Sequence, residues 1–231
     1  MIDDEIMQDQ EIENTFAAIN QAKYEMSIAQ LISNHFPEMI DFELNMYLKA
    51  YMYDYNAVHY GLNHEILPDM INPFVGNILK YLKENKDTTD IIGCKTVSLK
   101  DKCLLCIAWN PTRFCDDEYS FDNQLYKYIG IKSYKLDFLN EQYRSYGYYY
   151  LKNLNIIYVS NSGNHRLLLQ ALQNNNIEAK VHEYDDIELL KNFYTDGGYL
   201  INKRDSNIKV LIPNYRFAII FRLTQLKLGL N

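Results

Sequence analysis

The chain has 231 residues, 48% hydrophobic and 23% charged, which suits a folded soluble protein built as one large domain or as a helical unit plus a compact α/β domain. A formal net charge of −7 argues against broad, sequence-independent nucleic-acid binding, which needs Lys and Arg to displace counterions, while leaving room for a local basic pocket. No run approaches ~18 consecutive apolar residues, and the acidic Met1-Ile-Asp-Asp-Glu-Ile6 has neither the basic start nor the apolar run of a signal peptide, so a cytoplasmic protein with no membrane span is expected.

Residues 3–35 read as one long or two consecutive helices. Ile12, Phe16, Ile19, Tyr24, Ile28, Leu31 and Ile32 fall near helical spacing, and Gly and Pro are absent. Pro37 stops the segment. A second helix covers about 37–60, with Ile40, Leu44, Tyr47, Leu48 and Tyr51 on one stripe and Gly61 at its end. A third, about 68–85, carries Met70, Phe74, Ile78, Leu79 and Leu82. Stripes at this spacing belong to a core. His35, His59 and His64 have no carboxylates at ligand spacing and read as surface or capping residues. The polar break Glu84-Asn-Lys-Asp-Thr-Thr-Asp90 separates a helical N-terminal region, 1–90, from a second region, 91–231.

From Ile91 the pattern turns to strands. Thr96-Val-Ser-Leu99 alternates, and Cys103 to Trp109 is an apolar run that Asn110-Pro111 ends. Cys94, Cys103, Cys106 and Cys115 cluster, and Cys103-Leu-Leu-Cys106 has zinc-like spacing. Side chains three apart on a strand point to opposite faces, so small buried hydrophobes are the better reading and no zinc is expected. Asp116, Asp117 and Glu118 follow Arg113 and are candidate Mg²⁺ ligands near a phosphate; a solvated acidic loop is the plainer account. Residues 120–150 interleave tyrosines with Lys and Arg, as in Tyr126-Lys-Tyr128 and Tyr148-Tyr-Tyr150. Such interleaving can stack nucleic-acid bases. With the overall acidity, amphipathic helices whose tyrosines cover a sheet are favoured.

The centre of the second region is Ile156 to Leu172. The β-type run Ile156 to Val159 leads into the polar turn Ser160-Asn-Ser-Gly-Asn164, and the leucine-rich Leu167 to Leu172 follows as a helix. A strand, glycine turn and helix in that order aim backbone N–H groups at an anion. Ser162 and Gly163 form the turn, Asn164 is a natural N-cap and Arg166 supplies a bidentate donor. An ordinary βα connection with a solvated His165 and Arg166 is the competing account.

Further on, Glu178 to Tyr184 reads as a strand with its charges outward, and Asp185 caps a helix over 186–193. Thr195-Asp-Gly-Gly198 is a hairpin-type turn into Tyr199-Leu-Ile201, and Arg204-Asp-Ser-Asn207 turns the chain into Ile208 to Ile212. Pro213 opens a last helix that ends near Gly229.

Ser162-Gly-Asn-His-Arg166 with its following helix, and Asn176-Ile-Glu-Ala-Lys-Val-His182, resemble the nucleotide-binding box of the ParB/sulfiredoxin superfamily. A weaker likeness lies in Val97 to Lys102 and in Ile107-Ala-Trp-Asn-Pro-Thr-Arg113. Trp109-Asn-Pro-Thr-Arg113, Ser162-Gly-Asn-His165, Tyr184-Asp185 and Asp196-Gly197 also resemble a bacterial family of unknown function, from which Arg166-Leu167 departs. The resemblance covers about residues 95–185 and implies a ParB/sulfiredoxin-like mixed α/β domain, placed at 91–231; with the N-terminal helical region packed on it, an α+β fold is expected. It also implies a nucleoside triphosphate held at Ser162, Gly163, Asn164 and Arg166, with Asn110 and Arg113 joining the site and Mg²⁺ as companion ion. His165 is then the candidate general acid–base residue, and an enzyme would be a nucleotide-dependent phosphotransferase or hydrolase. A sulfiredoxin-type reductase is disfavoured, because Ser162 and Asn164 stand where that chemistry needs a cysteine. The alternative is a non-catalytic acidic protein of immunity or antitoxin type, whose partner is a basic protein.

Overall fold

The computed structural model describes residues 2–58, 77–78, 81–82, 92–99, 102–105, 148–159, 178–212 and 214–230. These residues form an α+β protein, as the sequence implies, divided into two compact units. One unit joins Met1–Tyr51 to Ile187–Asn231, and the other is Met52–Asp186. The polar break at 84–90 and most of the third sequence-predicted helix lie outside the described residues; 77–78 and 81–82 are helical, with Ile78 and Leu82 buried.

The first unit begins with one continuous helix, α1 (Ile2–His35). Its sequence has no Gly or Pro to interrupt the backbone ladder. Phe36 leaves helical geometry at φ −140°, and Pro37 opens a single 3₁₀ turn, Pro37–Met39, where its missing N–H is harmless. Helix α2 (Ile40–Val58) follows, and Ile40, Leu44, Leu48 and Tyr51 recur along its buried stripe. Across the unit, the Tyr47 hydroxyl donates to Glu25 Oε2 at 2.6 Å and joins α2 to α1.

The rest of this unit comes from the far part of the sequence. The short helix α3 (Ile187–Asn192) runs directly into the antiparallel strands β6 (Phe193–Thr195), β7 (Tyr199–Asn202) and β8 (Lys209–Leu211). The β6–β7 turn is closed by its own side chains: Thr195 Oγ1 accepts from Gly197 N–H, and Asp196 Oδ1 accepts from the N–H groups of Gly198 and Tyr199. Gly197 sits at φ 99°, a left-handed conformation that the turn needs and glycine tolerates. Helix α4 (Tyr215–Lys227) is capped by Asn214, whose Oδ1 accepts from Arg216 N–H at 2.9 Å. It stops at Gly229, φ 67°, with Leu230 N–H returning to Gln225 O at 2.8 Å. Phe217 to Phe221 and Leu223 to Leu226 are buried, the polar Thr224 and Gln225 among them, so α4 is covered on nearly every side. Among the described side chains of α1, the small Ala22 and Ala29 are the buried ones, and the helix packs along α4. Arg222 Nη2 donates to Gln30 Oε1 at 2.6 Å, and Tyr51 meets Phe217 edge-on at 5.9 Å.

The second unit carries a five-stranded mixed sheet in the order β1-β5-β3-β4-β2. Its strands are β1 (Ile92–Ser98), β2 (Cys103–Leu105), β3 (Tyr148–Leu151), β4 (Ile156–Val159) and β5 (Glu178–Tyr184). All four residues of β4 and all three of β2 are buried, which explains their unbroken apolar runs. Cys103 is among them, a buried thiol within an apolar strand.

Three sequence expectations differ from the structure. Tyr148 to Tyr150 form a strand inside the sheet, between β5 and β4, where amphipathic helix was favoured. Consecutive aromatics fit no helical stripe but do fit a pleated surface, and the overall acidity carried too much weight. Glu183 is buried on the same face of β5 as Val181, although its charge suggested an outward position. Helix α3 is shorter than the expected 186–193, because Asp186 points to the β3–β4 turn and Phe193 already pairs with Asn202 in β6–β7.

Candidate functional site

The sheet fixes where its connecting segments leave it. β2 and β4 are parallel neighbours in the register Cys103–Ile156 to Leu105–Tyr158. β3 runs antiparallel to β4, with Tyr148 opposite Val159. The carboxyl ends of β2 and β4 therefore lie side by side at one end of the sheet, next to the start of β3. The sequence-predicted site residues Ser162, Gly163, Asn164, His165, Arg166, Asn110, Arg113, Asp116, Asp117 and Glu118 all lie outside the described residues. What the structure supplies for them is this framing. The segment carrying Asn110 and Arg113 continues from Leu105, and the segment carrying Gly163 to Arg166 continues from Val159.

The opposite end of the sheet holds a polar cluster that sequence reasoning did not single out. Residues Lys152 to Asn155 turn β3 into β4, and Asn155 takes φ 58°, a left-handed conformation that asparagine adopts more readily than most residues. The fully buried Asp186 carboxylate organises this turn. One oxygen accepts from Asn153 N–H and Asn153 Nδ2 at 2.7 and 2.9 Å, and the other accepts from Leu154 N–H at 3.0 Å. Burial pushes the carboxyl above its ordinary 3.8, and the amide donors offset only part of that shift. Asp185, expected as the helix cap, accepts from Asn153 Nδ2 at 3.0 Å. Lys102 Nζ donates to Asn155 Oδ1 at 2.8 Å and sits 5.1 Å from the centre of the Tyr150 ring. The donors and acceptors here are directed at the turn itself, and the cluster works as a structural lock. The Asp185-Asp186 pair was its one sequence signal, and a pair of acids before a helix resembles a cap too closely to reveal it.

One face of the sheet carries a row of rings. Tyr149 and its cross-strand neighbour His182 stack with centroids 5.8 Å apart, and Tyr149 and Tyr184 lie 6.1 Å apart. Tyr158, opposite Tyr149 on β4, has its hydroxyl pushed up to about 12, mainly by burial and then by Tyr149; burial raises Tyr184 likewise. Among the described residues no group of three or more His, Cys, Asp or Glu side chains could hold a metal ion. Among them, too, no helix is long and apolar enough to cross a membrane.

Searches of curated proteins and of solved structures return no match. The profile of one protein family matches residues 4–231, nearly the whole chain. The chain therefore belongs to the DUF6710 family, a family of unknown function.

Proposed function

We propose that the protein binds a nucleotide or another phosphorylated ligand at the strand-turn-helix of Gly163-Asn164-His165-Arg166, in a ParB/sulfiredoxin-like setting. The observation that carries this reading is the parallel pairing of β2 with β4. Ligands of α/β sheets collect outside the carboxyl ends of parallel strands, where loops from neighbouring strands meet. Gly163 follows Val159 by four residues, so covalent geometry keeps it within ~14 Å of the end of β4. The Asn110 and Arg113 segment leaves the adjacent strand at the same end. Backbone N–H groups after Asn164, with Arg166 and Arg113, are the donors for phosphate oxygens. Ser162 and Asn110 add side-chain hydrogen bonds, and the acids Asp116, Asp117 and Glu118 are the side chains available to Mg²⁺.

If turnover occurs, the reaction class is phosphoryl transfer or hydrolysis. His165 accepts the proton of the attacking hydroxyl or water while its oxygen bonds to the terminal phosphorus, and the bond from that phosphorus to the nucleoside diphosphate breaks. A nucleotide ligand fits a cytoplasmic location.

Thermal-shift measurements with ATP, CTP and GTP, with and without Mg²⁺, test the reading. At 100-fold excess over the dissociation constant a specific ligand stabilises by about 2.7 kcal/mol, and Arg166→Ala should abolish the response. No response to any nucleotide would sink the proposal and favour the non-catalytic protein-binding alternative.

A further inference from the structure

The row of rings on the five-stranded sheet is only partly covered. Tyr149 on β3 is the cross-strand neighbour of His182 on β5 and of Tyr158 on β4, so the three side chains stand in line on one face. Tyr149 and His182 stack at 5.8 Å with their planes 28° apart, and Tyr184, two residues along β5, lies 6.1 Å from Tyr149. Exposure along this face is graded. Tyr158, Tyr184, Leu151 and Ile156 are buried, while Tyr149 and His182 are half-buried. The half-buried pair sits where β3 begins and β4 ends, one residue in from the Tyr148–Val159 pair. From that same end Val159 leads on to Gly163, and Leu105 to Arg113.

The chemistry of the pair selects its ligand. Each ring has a π face, and each carries polar atoms, the Tyr149 hydroxyl and the His182 ring nitrogens, that have no hydrogen-bond partner among the described residues. A lipid tail or an aliphatic side chain would cover the faces and leave those atoms bare, which is costly. A sugar phosphate has polar groups and no flat face. A nucleic-acid strand would bring a phosphate with every base to a chain of net charge −7. A single nucleobase meets both demands, with a planar ring system to stack and donors and acceptors around its edge.

We infer that Tyr149 and His182 form a stacking platform for the base of a nucleotide whose phosphates occupy the Gly163 turn. The ligand class narrows from phosphorylated molecules to nucleoside phosphates. This rests on the phosphate site proposed above, and the experiment separates the two. Isothermal titration calorimetry on the full chain, with Mg²⁺ throughout, compares ATP, CTP and GTP with inorganic tripolyphosphate, which has the phosphates and no base. Wild type should bind its best nucleotide about 10-fold or more tighter than tripolyphosphate. Tyr149→Leu and His182→Gln should each weaken the nucleotide by about 10-fold, the worth of one base–ring stack, and leave tripolyphosphate binding as it was. Tyr149→Phe keeps the ring and should recover most of that loss, whereas Arg166→Ala should weaken both probes. The wild-type comparison needs no variant, so the test stays decisive if Tyr149→Leu fails to fold. Equal affinity for nucleotide and tripolyphosphate overturns the platform and leaves the phosphate site standing. So does nucleotide binding that both ring variants leave intact. Binding of neither probe overturns both.

Discussion

The carboxylate of Asp186 holds Asn153 by both of its amides, accepting from the backbone N–H at 2.7 Å and from Nδ2 at 2.9 Å. Its second oxygen faces the N–H of Leu154. Asp186→Asn therefore sets an NH₂ group against a buried backbone donor, or turns that group toward Asn153 with the same result. The expected loss is about 1–3 kcal/mol in urea denaturation. The acid has its own pH signature. Burial holds its folded value above 3.8, so the stabilising contribution is present below that pH and is lost as pH rises through the folded midpoint. A ¹³C titration of the side-chain carboxyl should place that midpoint above 3.8, and a value at or below it would contradict the burial argument.

Tyr158 gives the alkaline counterpart. Its hydroxyl is held protonated to about 12, against an ordinary value of 10.0. The folded state therefore keeps a proton that the unfolded chain releases, and the stability this brings is present below pH 10.0 and lost as pH climbs toward 12. Ultraviolet titration should show a group of tyrosines ionising late, since burial also raises Tyr47, Tyr184 and Tyr215, and Tyr158→Phe should shrink that late component by one residue. An unchanged titration curve in the variant would rule the assignment out.

Gln225 is the second buried polar side chain with a definable task. Its Nε2 donates to Leu190 O at 2.7 Å and to Phe193 O at 2.8 Å, satisfying carbonyls at the end of α3 that the short helix leaves open. Gln225→Leu keeps the volume and strips both bonds, for an expected loss on the order of 1–3 kcal/mol per bare carbonyl. Gln225→Glu should be worse still at neutral pH, since a carboxylate would face two carbonyl oxygens. Chemical denaturation measures both; a Leu variant within ~0.5 kcal/mol of wild type would show that water replaces the amide.

The two glycines of the β6–β7 turn should respond unequally to alanine. A Cβ at Gly197 would stand 3.0 Å from the backbone oxygen of Ile19, on a residue already at φ 99°. At Gly198 the nearest atom, at 2.9 Å, is the Cδ1 end of the Ile19 side chain, which can rotate away. Gly197→Ala should cost about 1–3 kcal/mol and Gly198→Ala distinctly less. Thermal unfolding of the pair decides, and the reverse order would mean that the turn is held otherwise.

Local signals in the sequence were the ones that survived. The uninterrupted apolar spacing up to Ile32, the stop at Pro37, the Thr195-Asp-Gly-Gly198 turn and the end at Gly229 each state their backbone requirement within a few residues, and each is met. Long-range relations were hidden. Asp186 could not be separated from a helix cap without knowing that the Asn153 turn lies beside it. Gln225 reads as one more polar residue on a helix until α4 is seen to be buried. Tyr148 to Tyr150 carry no alternation, so only their neighbours β4 and β5 identify them as strand. For the candidate site, the strand ahead of Gly163 was legible because four consecutive β-type residues leave little choice. The chemistry beyond it rests on residues outside those described.

Gln30 and Arg222 are bonded across 192 residues of sequence. A ribosome has to complete all of 52–186 before α4, which packs along α1, can exist. Closing so long an intervening loop is entropically slow, and it makes this half of the molecule the late step in folding. Meanwhile the nascent α1 presents greasy surface on two sides instead of one. Such a chain invites chaperone capture during synthesis, and its vulnerability to misassembly ends only when α4 arrives.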